Sequence, residues 1–136
     1  MVAGVLRGEC ERQNEVFFHF MRTKLPFTVL KYAMTLDGKT ATVSGKSQWI
    51  TGEVARKRVH EDRGRYMAIL TGVSTVLADN PQLTCRIPGG KNPIRVIADT
   101  KLRTPLSSTV VQTARETPTW IVTAVSDTGR KKAYED

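Results

Sequence analysis

Ala68-Ile-Leu-Thr-Gly-Val-Ser-Thr-Val-Leu-Ala-Asp-Asn-Pro81 decides how this chain folds. Ala68–Thr71 is a short apolar strand closed by Gly72. Thr75–Asp79 reads as a brief helical turn, which Asn80-Pro81 stops because the proline ring disfavours helix in the residue before it. Two further strands come later, Ile94–Asp99, ending in an acid, and Thr119–Thr123. Between them Leu106–Val111 fits either helix or strand, and Ile87-Pro-Gly-Gly-Lys-Asn-Pro93 is loop by composition. Short strands separated by helices and loops give an α/β sandwich with a mostly parallel sheet.

Upstream, Thr51 is placed to cap a helix running to about Arg65, with Glu53 in the first turn, where a carboxylate suits the helix dipole. Phe27–Thr35 reads as a strand buried on both faces, ended by the Asp37-Gly38 turn, with Ala41–Val43 as a short further strand. Residues 5–24 read as one helix whose apolar side carries Val16, Phe17 and Phe20, ended by Pro26. The stretch from Asp127 onward reads as exposed, without a closing element, and there is no internal repeat.

The bulk numbers narrow the function. A chain of 136 residues suits one domain or a piece of one, and 40% hydrophobic with 25% charged residues is ordinary for a soluble globular protein. No apolar run reaches the roughly 20 residues of a membrane span, and Met1–Arg7 lacks the order of a secretory signal. A soluble cytoplasmic protein without a membrane partner is expected. Cys10 and Cys85 belong to no Cys-x-x-Cys pair, and only His19 and His60 could complete a zinc site, so two reduced thiols and no metal are expected. The net charge of +8 favours anionic partners: nucleic acid, phosphorylated metabolites or dinucleotides. The densest basic cluster, Arg56–Arg65, also holds Glu61 and Asp62, which suits a solvated helix face with anion-binding arginines better than a polynucleotide track.

The chain has no Gly-x-Gly-x-x-Gly, no P-loop, no nucleophile elbow and no His-x-Glu with Pro-Cys-x-x-Cys. His19 and His60 sit in helical stretches and read as surface or packing residues. Ligands of parallel sheets bind at the carboxyl ends of the strands, which points to Asp37, the Thr71–Asp79 loop and Asp99-Thr100. The run Lys31–Gly52 adds a glycine-loosened loop leading to a helix start, a phosphate-binding arrangement, with Ser47, Trp49 and Thr51 close together. Asp37-Gly38 is a structural turn and is left out of the site. What remains is Ser47, Trp49, Arg63, Thr71, Thr75, Asp79, Arg86 and Thr100. Each has a competing structural role: Trp49 as a core anchor, Arg63 on a solvated face, Thr75 and Asp79 as caps or turn formers, Asp99-Thr100 as a strand-ending turn. With no nucleophile or metal, the chemistry would be a cofactor's, and the protein would orient the reactants.

Four blocks carry a resemblance: Lys-Tyr-Ala-Met-Thr-Leu-Asp-Gly-Lys-Thr-Ala (31–41), Ser-Gly-Lys-Ser-Gln-Trp-Ile-Thr-Gly (44–52), Ala68–Arg86 and Pro-Ile-Arg-Val-Ile-Ala-Asp (93–99). In these blocks, covering most of residues 27–100, the chain resembles the reductase half of the bifunctional riboflavin-biosynthesis deaminase/reductase family. The resemblance implies a dihydrofolate-reductase-like three-layer α/β sandwich. It also implies NADPH-dependent reduction of 5-amino-6-(5-phosphoribosylamino)uracil, a small phosphoribosyl pyrimidine, to the ribitylamino compound. Carried over position by position, the family's substrate contacts fall on Ser47, Arg63, Leu83 and Arg86. Its cofactor contacts fall on Ala33, Trp49, Thr75, Asp79 and Thr100. Asp79 is the candidate catalytic residue, expected to orient the nicotinamide amide or a ribose hydroxyl, with proton transfer as a lesser role. Arg63 and Arg86 would neutralise the ribose phosphate.

On the same resemblance, residues 1–24 are the joint to a zinc deaminase half and 25–136 the first part of the reductase domain. Family members continue with further strands, a substrate-contacting glutamate and a glycine-rich pyrophosphate loop, so a truncated copy is expected, pairing with a second chain as a homodimer. Two other readings are a dihydrofolate-reductase-like reductase for a pterin and a basic, non-catalytic RNA-binding module. A phosphate-free pterin would not need both arginines, and scattered cations with few aromatic platforms do not make a nucleic-acid track.

Overall fold

The computed structural model describes residues 3–135, which divide into two compact units, Met1–Ile50 and Thr51–Asp136. In the first unit, residues 5–24 form two helices rather than one: α1, Arg7–Gln13, and α2, Glu15–Thr23. The break is at Asn14, whose backbone N–H (3.1 Å) and side-chain amide (2.9 Å) both donate to the Cys10 carbonyl, a local bond that competes with helix continuation. Phe18 packs edge-on against Phe17, and His19 edge-on against Phe27.

The expected strands at Phe27–Thr35 and Ala41–Val43 do not form; this stretch is extended chain and turns. Leu30 and Tyr32 are 82% and 60% exposed, the reverse of a strand buried on both faces. The main-chain groups close locally instead. Thr35 N–H bonds the Lys39 carbonyl and Thr42 N–H the Lys46 carbonyl, both at 2.9 Å. The threonine hydroxyl accepts from Lys39 N–H in one turn and from Lys46 N–H in the other. Gly38 and Gly45 sit at φ +79°, which only glycine adopts without strain. Thr-Leu-Asp-Gly-Lys39 and Thr-Val-Ser-Gly-Lys46 are thus two copies of one turn, a short repeat where none is expected from the sequence.

The second unit opens with α3, Glu53–Arg65. Gly52, not Thr51, holds the cap position, and no side chain caps it; the Thr51 carbonyl accepts from Arg56 instead. Then come β1 (Ala68–Gly72), α4 (Val73–Asp79), β2 (Ile94–Ala98), α5 (Thr109–Gln112), β3 (Thr119–Val122) and α6 (Thr128–Lys132). The strands pair in parallel in the order β1-β2-β3, with Ile69 opposite Arg95 opposite Thr119 and Thr71 opposite Ile97 opposite Ile121. That row faces the core, where Ile97 lies among Val73 and Val76 of α4, Leu83 and Val110 of α5, with Ile69, Val111 and Ile121 packed against them. The opposite face presents Leu70, Trp120 and Val122, which are 69%, 60% and 59% exposed.

Arg95, in the middle of the core row, is fully buried. One guanidinium nitrogen, Nη1, donates to the Gln82 carbonyl (3.1 Å) and the Thr113 hydroxyl (2.9 Å). The other, Nη2, donates to the carbonyls of Val110 (3.1 Å), Thr113 (3.0 Å) and Thr117 (2.7 Å). Asp99, also fully buried, receives the N–H groups of Arg103 (2.6 Å) and Thr104 (2.7 Å) and the Thr104 hydroxyl (2.8 Å) on Oδ2, fixing the turn after β2.

The tail is anchored, contrary to expectation. Asp127 caps α6 through Gly129 N–H (2.9 Å) and Arg130 N–H (3.3 Å), and the Tyr134 hydroxyl donates to the Thr104 carbonyl at 2.6 Å. Replacing Arg95 by leucine removes the one group that joins the carbonyls of Gln82, Val110, Thr113 and Thr117, and leaves that of Gln82 without its donor. A loss of about 3 kcal/mol or more in unfolding free energy is expected by urea denaturation; a loss within about 0.5 kcal/mol, the range of a surface substitution, would show that Arg95 does not hold these loops.

Candidate active site

The three parallel strands end on one rim, and the sequence sets how the chain leaves each of them. After β1, Gly72 leads straight into α4, which carries Thr75 and ends on Asp79. After β2 comes the Asp99 turn, which holds Thr100 with its side chain exposed. The Thr100 carbonyl accepts from Ala124 N–H just past β3 (3.2 Å), stitching adjacent strand ends together. Thr75, in the first turn after β1, and Thr100, just after β2, therefore belong to the carboxyl ends of neighbouring strands, while Asp79 stands at the far end of α4. Asp79 is exposed and makes no capping bond; the capping conformation belongs to Asn80, whose side-chain oxygen accepts from Thr109 N–H at 2.8 Å.

Beyond α4 the chain turns at Leu83, at φ +57° with its side chain in the core cluster. With that side chain occupied, only the main chain of Leu83 is available to a ligand. The next residues lie along α3. The Arg63 guanidinium donates to the Thr84 carbonyl (3.1 Å), the Cys85 thiol to the His60 carbonyl (3.2 Å), and Arg86 N–H to His60 Nδ1 (3.2 Å). Cys85 N–H bonds the Asn92 side chain at 3.0 Å, which in turn donates to Thr117. Close approach needs glycine here: a Cβ on Gly64 would stand 3.3 Å from the Cys85 sulfur, and one on Gly90 only 2.5 Å from it.

This arrangement gathers positive charge without a counterion. Among the described residues neither Arg63 nor Arg86 is in an ion pair, because the nearby carboxylates of Glu61 and Asp62 both turn to Arg58. Burial first, and then the Arg86 charge, draw the Arg63 pKa below the ordinary arginine value. Arg63 Nε is buried with no acceptor. A buried charged donor lacking an acceptor, beside a second cation, is chemistry suited to an anion. His60 lies one turn from Arg63 on α3. Burial, then the charges of Arg63 and Arg86, push its pKa down, and the Thr84 carbonyl offsets this in part. Accepting from Arg86 N–H assigns the neutral ring's proton to Nε2.

Of the residues singled out from sequence, Arg63 and Arg86 come together at α3, with Leu83 at the start of the same segment. Thr75 and Thr100 lie at the carboxyl rim, and Asp79 ends α4. Ala33, Ser47 and Trp49 belong to the first unit, where Ala33 and Ser47 are half-buried and Trp49 is 71% exposed, so it is not a core anchor. His60, Asn92 and Arg95 were missed; the spacing of His60 and Arg63 by three residues was the available signal for the first.

The family model of the RibD C-terminal domain matches residues 26–134. Riboflavin biosynthesis protein RibD of Actinobacillus pleuropneumoniae is 54% identical over 127 residues, covering 93% of this chain and 34% of that protein. Its namesake of Bacillus amyloliquefaciens is 52% identical over 130 residues, covering 95% and 35%. The chain thus spans about a third of the length of these relatives. The crystal structure of a diaminohydroxyphosphoribosylaminopyrimidine deaminase/5-amino-6-(5-phosphoribosylamino)uracil reductase from Thermotoga maritima matches with a TM-score of 0.82 at 43% identity, over 91% of this chain and 35% of that one. Acinetobacter baumannii RibD matches with a TM-score of 0.76 at 32% identity, over 91% and 36%. The fold is the dihydrofolate-reductase-like α/β fold of these reductase domains.

The His60 environment sets a sign for pH. The unfolded chain takes up this proton near the ordinary histidine value of about 6.5, and the folded chain only at lower pH. Between the two the unfolded state binds more protons, so stability present above the unfolded value is lost as pH falls through the folded one. In ¹H–¹⁵N spectra His60 is expected as the Nε2–H tautomer at neutral pH, titrating below a free imidazole. Replacing Arg86 by alanine should raise that midpoint; an unchanged one would mean that the two groups do not interact.

Proposed function

Because the chain belongs to the RibD C-terminal domain family, we propose that it carries the first part of the site that reduces 5-amino-6-(5-phosphoribosylamino)uracil with NADPH, giving the ribitylamino product and NADP⁺ with uptake of one proton. The observation that carries this reading is the unneutralised pair Arg63 and Arg86, with the Arg63 Nε buried and unmet. A ribose phosphate supplies what that pair lacks, an acceptor of several charged hydrogen bonds.

The residues present fit a nicotinamide dinucleotide. Thr75, in the first turn of α4, and Thr100, just past β2, stand at the carboxyl ends of adjacent parallel strands, where open α/β sheets bind nucleotides, and the exposed carboxylate of Asp79 ends α4. Hydroxyl and carboxylate groups match the ribose hydroxyls and the carboxamide that such a cofactor presents. When bound, NADPH supplies the hydride, which goes to the ribose carbon attached to nitrogen. The protein's own part is positional. Arg63 and Arg86 fix the phosphate end of the substrate, the main chain at Leu83 borders it, and Asp79 orients the cofactor. Ser47 is assigned to the substrate, and Ala33 and Trp49 to the cofactor, by the family resemblance alone. Holding both reactants converts an encounter of two molecules into a reaction within one complex.

NADPH oxidation should depend on the phosphoribosyl pyrimidine, and the Arg63→Met and Arg86→Met variants should each raise KM for it about tenfold to a hundredfold, the worth of one charged hydrogen bond. Asp79→Ala should weaken NADPH binding, read by tryptophan fluorescence, without changing the preference for a phosphorylated substrate. Equal KM values for the substrate and its dephosphorylated riboside would overturn the assignment of the arginines.

A further inference from the structure

We propose that His60 is a positioning residue: its Nδ1, by accepting the Arg86 N–H, holds the Thr84–Arg86 segment against α3 and so sets the distance between the two phosphate-gripping arginines. This rests on the phosphate reading given above and goes beyond it, since His60 itself contacts no ligand in that reading.

Three bonds tie the segment to α3, and they differ in what they constrain. Arg63 to the Thr84 carbonyl and Cys85 Sγ to the His60 carbonyl fix the start of the segment. Arg86 N–H to His60 Nδ1, at 3.2 Å, is the bond that fixes the backbone of Arg86 itself. Without it that backbone can swing away under the repulsion of the Arg63 charge, which no carboxylate neutralises. His60 and Arg63 lie one turn apart on the same helix, so one face of α3 presents both an arginine and the acceptor that places the other. The charged and titratable groups around the ring are Arg63 on α3 and Arg86 from the facing segment, with the Cys85 thiol on the His60 carbonyl. Glu61 and Asp62 are held by Arg58. Only a neutral ring can accept at Nδ1, and its surroundings favour the neutral ring.

The test separates an acceptor at Nδ1 from mere bulk. His60→Asn keeps an oxygen near the Nδ1 position, His60→Gln carries its amide one bond further out, and His60→Leu removes the acceptor. Two readouts are taken on the full chain: hydrogen exchange of the Arg86 amide without ligand, and calorimetric affinity for ribose 5-phosphate against ribose. The wild type should protect the Arg86 amide and prefer the phosphate. His60→Gln and His60→Leu should speed exchange at Arg86 and lower ribose 5-phosphate affinity about tenfold, the worth of one hydrogen bond. His60→Asn should restore both. If His60→Leu fails to fold, the comparison of the asparagine and glutamine variants decides. Unchanged Arg86 exchange in the glutamine variant, or retained phosphate affinity with exchange increased, overturns the positioning role. A wild type that binds ribose and ribose 5-phosphate alike overturns the phosphate reading and the positioning role with it, while slow exchange at Arg86 would still report the intact bond.

Discussion

The second unit is organised around a cation with no water near it. Arg95 occupies the middle of the central strand and faces inward, where its guanidinium meets main-chain oxygens from Gln82, Val110, Thr113 and Thr117. Burying such a charge costs several kcal/mol unless its donors are met, and here four carbonyls and the Thr113 hydroxyl meet both Nη groups, leaving only Nε without a partner. Those oxygens belong to both connections between strands, so one side chain ties the β1–β2 and β2–β3 crossovers to β2. It does so from a core position, which a hydrophobic side chain would fill without specifying where any loop should run.

That constraint reaches the site. The segment from Gln82 to Arg86 is held at one end by Arg95 in the core and at the other by His60 on α3. Between them Leu83 is sunk into the hydrophobic cluster. Arg86 is therefore placed by a bond to its main chain, which leaves its guanidinium outside any ion pair among the described residues. The acids that could have quenched the cluster, Glu61 and Asp62, are occupied by Arg58 on the outer side of the same helix. Helix geometry thus separates Arg58, paired with both acids, from Arg63, which among the described residues has no carboxylate partner.

The three strands were legible because each is a short apolar run closed by a breaker, as with Ala68–Thr71 before Gly72. Phe27–Thr35 has the same composition and yet forms no strand, since a strand exists only by bonding to a neighbour and the polar groups of Thr35 and Thr42 bond within their own turns. Arg63 and Arg86 were singled out through resemblance, but the bonds that surround them were not legible. His60 read as a surface or packing residue, and its particular role was hidden because its partner is an amide 26 residues away. Arg95, between Ile94 and Val96, read only as part of the Ile94–Asp99 strand. Main-chain groups have no sequence signature, so a side chain that binds mostly to them cannot be recognised from its neighbours in the chain.

The uncovered sheet face bears on how the protein behaves in a tube. Leu70, Trp120 and Val122 form a greasy plane on a molecule carrying a charge of +8. At low ionic strength mutual repulsion keeps these planes apart, while added salt shortens the range of that repulsion without weakening the attraction between apolar surfaces. Colloidal stability and salt tolerance therefore pull in opposite directions for this chain.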